Sequence, residues 1–85
     1  MHNKKYRLDK IEEMNKHNPI YENMDGATCY LAYLNVGDRG WFLFEDSWGL
    51  PHRIHTSTVR DVVYTDGQVL VTTMNTKFTF TVIGE

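Results

Sequence analysis

Asp66-Gly67 constrains this chain more than any other pair of residues. An Asp-Gly step between two alternating runs favours a type I′ hairpin, because that turn needs positive φ at both central positions and matches the twist of the strands it joins. Val59 to Tyr64 precedes it, Val69 to Met74 follows, and Asn75-Thr76 offers a second turn before Lys77 to Ile83. If both loops are two-residue turns, Thr65 faces Gln68, Tyr64 faces Val69 and Val62 faces Val71. The second turn then sets Val71 opposite Phe80 and Thr73 opposite Phe78. Side chains alternate faces along a strand. Val62, Tyr64, Val69, Val71, Phe78, Phe80 and Val82 therefore share one side, and the mostly polar set Leu70, Thr72, Met74, Lys77, Thr79, Thr81 and Ile83 shares the other.

Upstream, Thr28 to Leu34 and Trp41 to Glu45 are dense in aromatic and β-branched or aliphatic residues, and Gly37 and Gly40 lie in the connection between them. These read as two further antiparallel strands. Both of their faces are largely apolar, so the pair lies either mid-sheet or against another surface. Before Asp25-Gly26 the sequence is polar and charge-balanced. Asp9 followed three residues later by Glu12 has the form of a helix N-cap, and Leu8, Ile11 and Met14 recur at helical spacing, which predicts a short helix from Lys10 to His17. Glu12 and Lys16 are placed to pair on it, and Asn18 before Pro19 ends it. The alternative is an edge strand from Lys4 to Leu8 followed by a loop. Five strands joined by short turns would leave two long edges unless they curl toward closure. The fold expected is mainly β: a small five-stranded antiparallel SH3-like or partly open barrel over residues 27–85, with residues 1–26 a polar segment carrying the helix.

With 85 residues the chain has room for one domain and one core, and burial of only about 60% of its unfolded surface argues against enclosing a large cofactor. A formal charge of −2 has the wrong sign for coating phosphate backbones. Cys29 is the only cysteine, so no intrachain disulfide can form and a reducing cytosol is the expected compartment. No apolar run approaches the roughly 20 residues that span a bilayer.

His52 to Arg60 (HRIHTSTVR) combines two Arg, two His and three hydroxyl residues without a carboxylate. Guanidinium forks, hydroxyls and free backbone N–H groups suit phosphate or another oxyanion. A plainer reading has Thr56-Ser57-Thr58 turn the chain between strands by side-chain to backbone bonding. On the anion reading Arg53 and Arg60 contact phosphate, His55, Thr56, Ser57 and Thr58 supply donors, and Trp41 or Trp48 stacks on a base. His52 and His55 point to opposite faces if extended, which disfavours a metal pair. No Gly-x-Ser-x-Gly or phosphate-binding glycine motif is present, Cys29 sits in an apolar strand, and Glu45 and Asp46 are splayed by adjacency, so catalysis is not expected.

Three stretches also resemble a loose group of short proteins from phages and mobile elements of Gram-positive bacteria. They are Gly37-Asp38-Arg39-Gly40-Trp41-Phe42, Arg53-Ile54-His55-Thr56-Ser57-Thr58-Val59, and Val69 through Phe80. The resemblance implies an accessory protein that blunts host defence, by occupying a defence protein or by sequestering a small anionic signalling molecule such as a nucleotide. Alternative readings are a small barrel that binds single-stranded nucleic acid and a structural or assembly component of a virion. The aromatic load, five Tyr, four Phe and two Trp, exceeds what one small core hides and points to a homodimer or higher homo-oligomer.

Overall fold

A computed structural model describes residues 4–14, 19, 21, 24 and 26–84. Six strands, β1 (Lys5–Glu13), β2 (Thr28–Tyr33), β3 (Arg39–Glu45), β4 (Pro51–Thr65), β5 (Gln68–Thr73) and β6 (Thr76–Gly84), follow one another as an antiparallel meander. β1 pairs with β6, so the sheet closes into a barrel. Among the described residues there is no α-helix. The barrel expected from the sequence is therefore present, with six strands in place of five and full closure in place of an SH3-like opening.

The extra strand is the segment read as a helix. Leu8 and Ile11 share a face because the ladder to β6 slips between Leu8 and Lys10: Leu8 pairs with Phe80, Lys10 with Thr79 and Ile11 with Phe78. Asp9 is the inserted residue of a β-bulge, which turns a spacing of two into a spacing of three. Its carboxylate caps no helix. It accepts from Arg7 Nε at 2.5 Å and from the Thr81 hydroxyl on β6. Glu12 pairs with Lys10 at 2.7 Å. The expected helical residues 15–17, the Lys16 partner and the stop at Asn18 lie outside the described residues.

β4 runs for 15 residues and absorbs His52 to Thr58, so Thr56-Ser57-Thr58 does not form the turn that the plainer reading assigned to it. It carries two irregularities. On the β3 side the pairing passes from Arg39↔Thr58 to Trp41↔His55, and on the β5 side from Val59↔Thr73 to Asp61↔Thr72. Each inserts a residue into β4 and sharpens its bend. The first half consequently pairs with β3 and the second with β5. At the first irregularity the buried Thr56 hydroxyl accepts from Gly40 N at 3.0 Å, taking the place of a ladder bond.

The β4–β5 hairpin has the register expected from Asp66-Gly67, with Tyr64 opposite Val69 and Val62 opposite Val71, but its turn is not type I′, because Gly67 takes positive φ (75°) and Asp66 does not. The β5–β6 register differs by two residues. Val71 faces Phe78, Val69 faces Phe80 and Thr72 faces Lys77, in place of Val71 opposite Phe80. The two-residue turn is Met74-Asn75, one residue earlier than Asn75-Thr76, because Thr73 Oγ1 accepts from Thr76 N at 3.1 Å and donates to Thr76 O at 3.0 Å, closing residues 73–76 into a side-chain-bonded turn. A slip of two leaves every side chain on its face, so Val69, Val71, Phe78 and Phe80 are all buried and Val62 and Val82 pack against them. Tyr64 does not join that core and is 69% exposed.

The core centres on Phe42 from β3 against Phe78 and Phe80 from β6, edge to face at 5.5 and 5.3 Å. Tyr21 packs edge-on to Phe78 at 5.5 Å, and Met24 is fully buried, so these two side chains help fill the interior.

Candidate functional site

The first irregularity of β4 forms one wall of a cleft of about 610 Å³. Arg39, His55, Ser57 and Thr58 line one side of it, Met74, Asn75 and Thr76 from the β5–β6 turn line the other, and Pro19 and Tyr21 also line it. No carboxylate lies among these lining residues. Arg39 is fixed by its Nε, which donates to Thr56 O at 3.1 Å and leaves the terminal nitrogens of the guanidinium for other acceptors. Ser57 Oγ accepts from Asn75 N at 3.2 Å, tying the two walls together while its own O–H remains a donor. Thr58 stands opposite Arg39 in the ladder, and its carbonyl accepts from Met74 N at 3.0 Å.

Beside the cleft, alternation along β3 and β4 places Trp41, Leu43, Arg53 and His55 on the outer face while Phe42 and Ile54 point inward. Trp41 pairs with His55, and the Arg53 guanidinium lies over the Trp41 ring at 4.5 Å from its centroid. A cation stacked on an indole is a favourable arrangement in its own right, and it presents a broad planar surface next to a residue that lines the cleft.

Of the residues singled out in the sequence, His55, Thr56, Ser57 and Thr58 thus meet at one cleft, and Trp41 and Arg53 adjoin it. Thr56 is 2% exposed with its hydroxyl committed to Gly40 N and Ser57 O, so it shapes the wall. Arg60 sits at the second irregularity in a smaller groove with Val36, Gly37, Thr58, Val59 and Met74. Trp48 belongs to the opposite end of β3. It projects, 86% exposed, from the β3–β4 turn, some 20 Å along the strand from Arg39 at ~3.3 Å per residue. Asp46 organises that turn: its carboxylate accepts from Trp48 N and Leu50 N, each at 2.9 Å, and bonds His52 Nε2 at 2.7 Å. His52 first, then the two amides, hold the Asp46 carboxyl below its ordinary range.

Arg39, Tyr21 and Asn75 were not singled out in the sequence. Arg39 becomes visible once residues 51–58 are read as a strand, since the β3–β4 register then sets it against Thr58. Tyr21 and Asn75 carry no such signal.

His52 and His55 fall on opposite faces of β4, and among the described residues no group of three or more His, Cys, Asp or Glu side chains is arranged to hold a metal ion. The Cys29 thiol is fully buried and pushed up to about 12 by that burial, far from the thiolate a nucleophile requires. Glu45 accepts from the Tyr30 hydroxyl at 2.7 Å while Asp46 serves the turn, so the two carboxylates form no pair. No helix among the described residues is long and apolar enough to cross a membrane. Comparison of the chain with protein-family models, curated proteins and solved structures finds no match.

Proposed function

We propose that this is a non-enzymatic binding protein that holds a small anionic ligand of nucleotide type. The observation that carries the reading is the β4 irregularity that gathers Arg39, His55, Ser57 and Thr58 around one cleft with no carboxylate among its described lining residues, with the Trp41–Arg53 stack alongside. Phosphate is held by the Arg39 guanidinium and by the hydroxyls and His55, through charge-assisted hydrogen bonds. The base lies on the Trp41–Arg53 surface, because both indole and guanidinium planes stack on bases. Arg53 is thereby reassigned from phosphate contact to base contact. The resemblance to accessory proteins of phages and mobile elements gives the setting: sequestration of a signalling nucleotide in the host cytosol.

Titration calorimetry of the intact protein against mono-, di- and cyclic nucleotides tests this. Arg39→Ala removes a charge-assisted contact and weakens binding by about 10- to 150-fold. If no nucleotide binds, or if a bound one is indifferent to Arg39→Ala and Trp41→Ala together, the reading is wrong.

A second reading, occupation of a host defence protein, draws on the β3–β4 tip. A Trp whose backbone amide is bonded to Asp46 and whose side chain is 86% exposed, with Leu50 58% exposed nearby, has the makings of an interface anchor. Loss of partner capture in Trp48→Ala, with nucleotide binding unchanged, is the result that favours it.

A further inference from the structure

The Arg39 cleft and the Arg60 groove are not separate hollows. Thr58 and Met74 line both, so the two meet across these side chains at the bend of β4. Thr58 faces Arg39 across the β3–β4 ladder, and Arg60 follows two residues further along, past the buried Val59. Neighbouring strands are ~4.8 Å apart and each residue rises ~3.3 Å, which sets the two Arg backbones roughly 8 Å apart. Among its described lining residues the smaller groove, of about 330 Å³, has no carboxylate either. Of the acids near it in sequence, Asp38 accepts from the Tyr33 hydroxyl at 2.8 Å, and Asp61 is exposed next to Arg60.

Resting on the nucleotide reading above, we infer that the ligand carries two phosphate groups joined through a nucleoside, one held at Arg39 and the other at Arg60. Each phosphate meets a guanidinium, and the sugar between them crosses the Thr58 hydroxyl and the soft, adaptable Met74 thioether. A mononucleotide fills only the first half of such a groove. The same chemistry is offered by a free dinucleotide and by one step of a single strand. The formal charge of −2 favours the free ligand, since a strand extending beyond the groove would meet a net repulsive surface.

The test is titration calorimetry of the intact protein with AMP, with the 5′-phosphorylated dinucleotide pApA and with a ten-residue oligo(dA), at two salt concentrations. The expected result is that pApA binds about 10- to 150-fold more tightly than AMP, by the size of one charge-assisted contact. Arg60→Ala, at an exposed position, brings pApA to the level of AMP and leaves AMP unchanged, whereas Arg39→Ala weakens both. Equal affinity for AMP and pApA, or a pApA affinity indifferent to Arg60→Ala, overturns the two-phosphate inference and leaves the single-cleft reading standing. Failure of both AMP and pApA to bind overturns the two together. Oligo(dA) binding more tightly than pApA, with affinity falling steeply as salt rises, overturns the assignment to a free ligand and gives the groove to a single strand.

Discussion

Phe80 shows most directly how single side chains hold the molecule together. It is fully buried, edge-on to Phe42 at 5.3 Å and to Tyr6 at 6.3 Å, so that it joins three strands. Phe80→Ala is expected to cost roughly 3 to 5 kcal/mol in urea unfolding, as for other well-packed aromatics. A loss under about 1 kcal/mol, the range of surface positions, would contradict its place in the core. Cys29 supplies an independent probe. Burial pushes its thiol up to about 12, so labelling by a thiol reagent at pH 8 should occur only through unfolding and should slow as the protein is stabilised. Rapid labelling of the native protein would be inconsistent with the Cys29 position. Asp46 makes the β3–β4 tip dependent on pH. A carboxyl whose folded value lies below its unfolded value contributes order that is present above the unfolded value, ~3.9, and lost as pH falls through the folded one. Heteronuclear NOE values of the Trp48 and Leu50 amides should therefore stay high from neutral pH down to about 4 and fall only below it. A drop near pH 6 would mean that Asp46 is not what holds the tip.

At the scale of the strands, close approach and irregular pairing matter more than propensity. A Cβ at Gly40 would stand 2.8 Å from Tyr33 O and from a Leu34 methyl group, and 3.1 Å from a Val59 methyl group, where the β2–β3 connection crosses β4. Because one of these neighbours is backbone, Gly40→Ala forces a shift and should cost about 1 to 3 kcal/mol in the same urea assay. A neutral result would show that β3 begins elsewhere. The β4–β5 register was legible in the sequence because Asp66-Gly67 marks a two-residue loop, although only Gly67 takes the positive φ that a type I′ turn asks of both positions. The β5–β6 pairing was legible only to its face, since a slip of two residues leaves the apolar pattern unchanged. Only the first half of β1 was legible, as the alternative strand from Lys4 to Leu8; the rest was hidden by its bulge, since the extra Asp9 places Leu8 and Ile11 three apart on one face, which is the spacing of a helix. Likewise the irregularities of β4 interrupt its alternation, and a strand with Ile54, Thr56 and Val59 inward reads as a polar connection. The candidate site was half legible for the same reason. Residues 55–58 are contiguous and could be found, whereas Arg39 reaches them only through a ladder that the sequence did not reveal.

For the whole molecule, closure through β1 and β6 pairs the long edges that an open sheet of this size would expose, so edge protection is no longer a reason for self-association. Surface apolarity still is. Val63 and Leu70 face each other across β4 and β5 on the outer wall, both exposed, and Tyr64, Ile83 and Trp48 are exposed as well. We propose a homodimer that covers part of this surface. Sedimentation equilibrium at high micromolar concentration should give the dimer mass, and a monomer throughout would remove the proposal. A nucleotide site at the corner where β4 bends is tested by an ¹⁵N-resolved NMR titration with the tightest-binding nucleotide. The shifts are expected at Arg39, His55, Ser57, Thr58 and Asn75 and at the Trp41 indole N–H, with the Trp48 indole and the Val63–Leu70 wall unmoved. Shifts confined to the Trp48 tip, or spread evenly over the barrel, would contradict it.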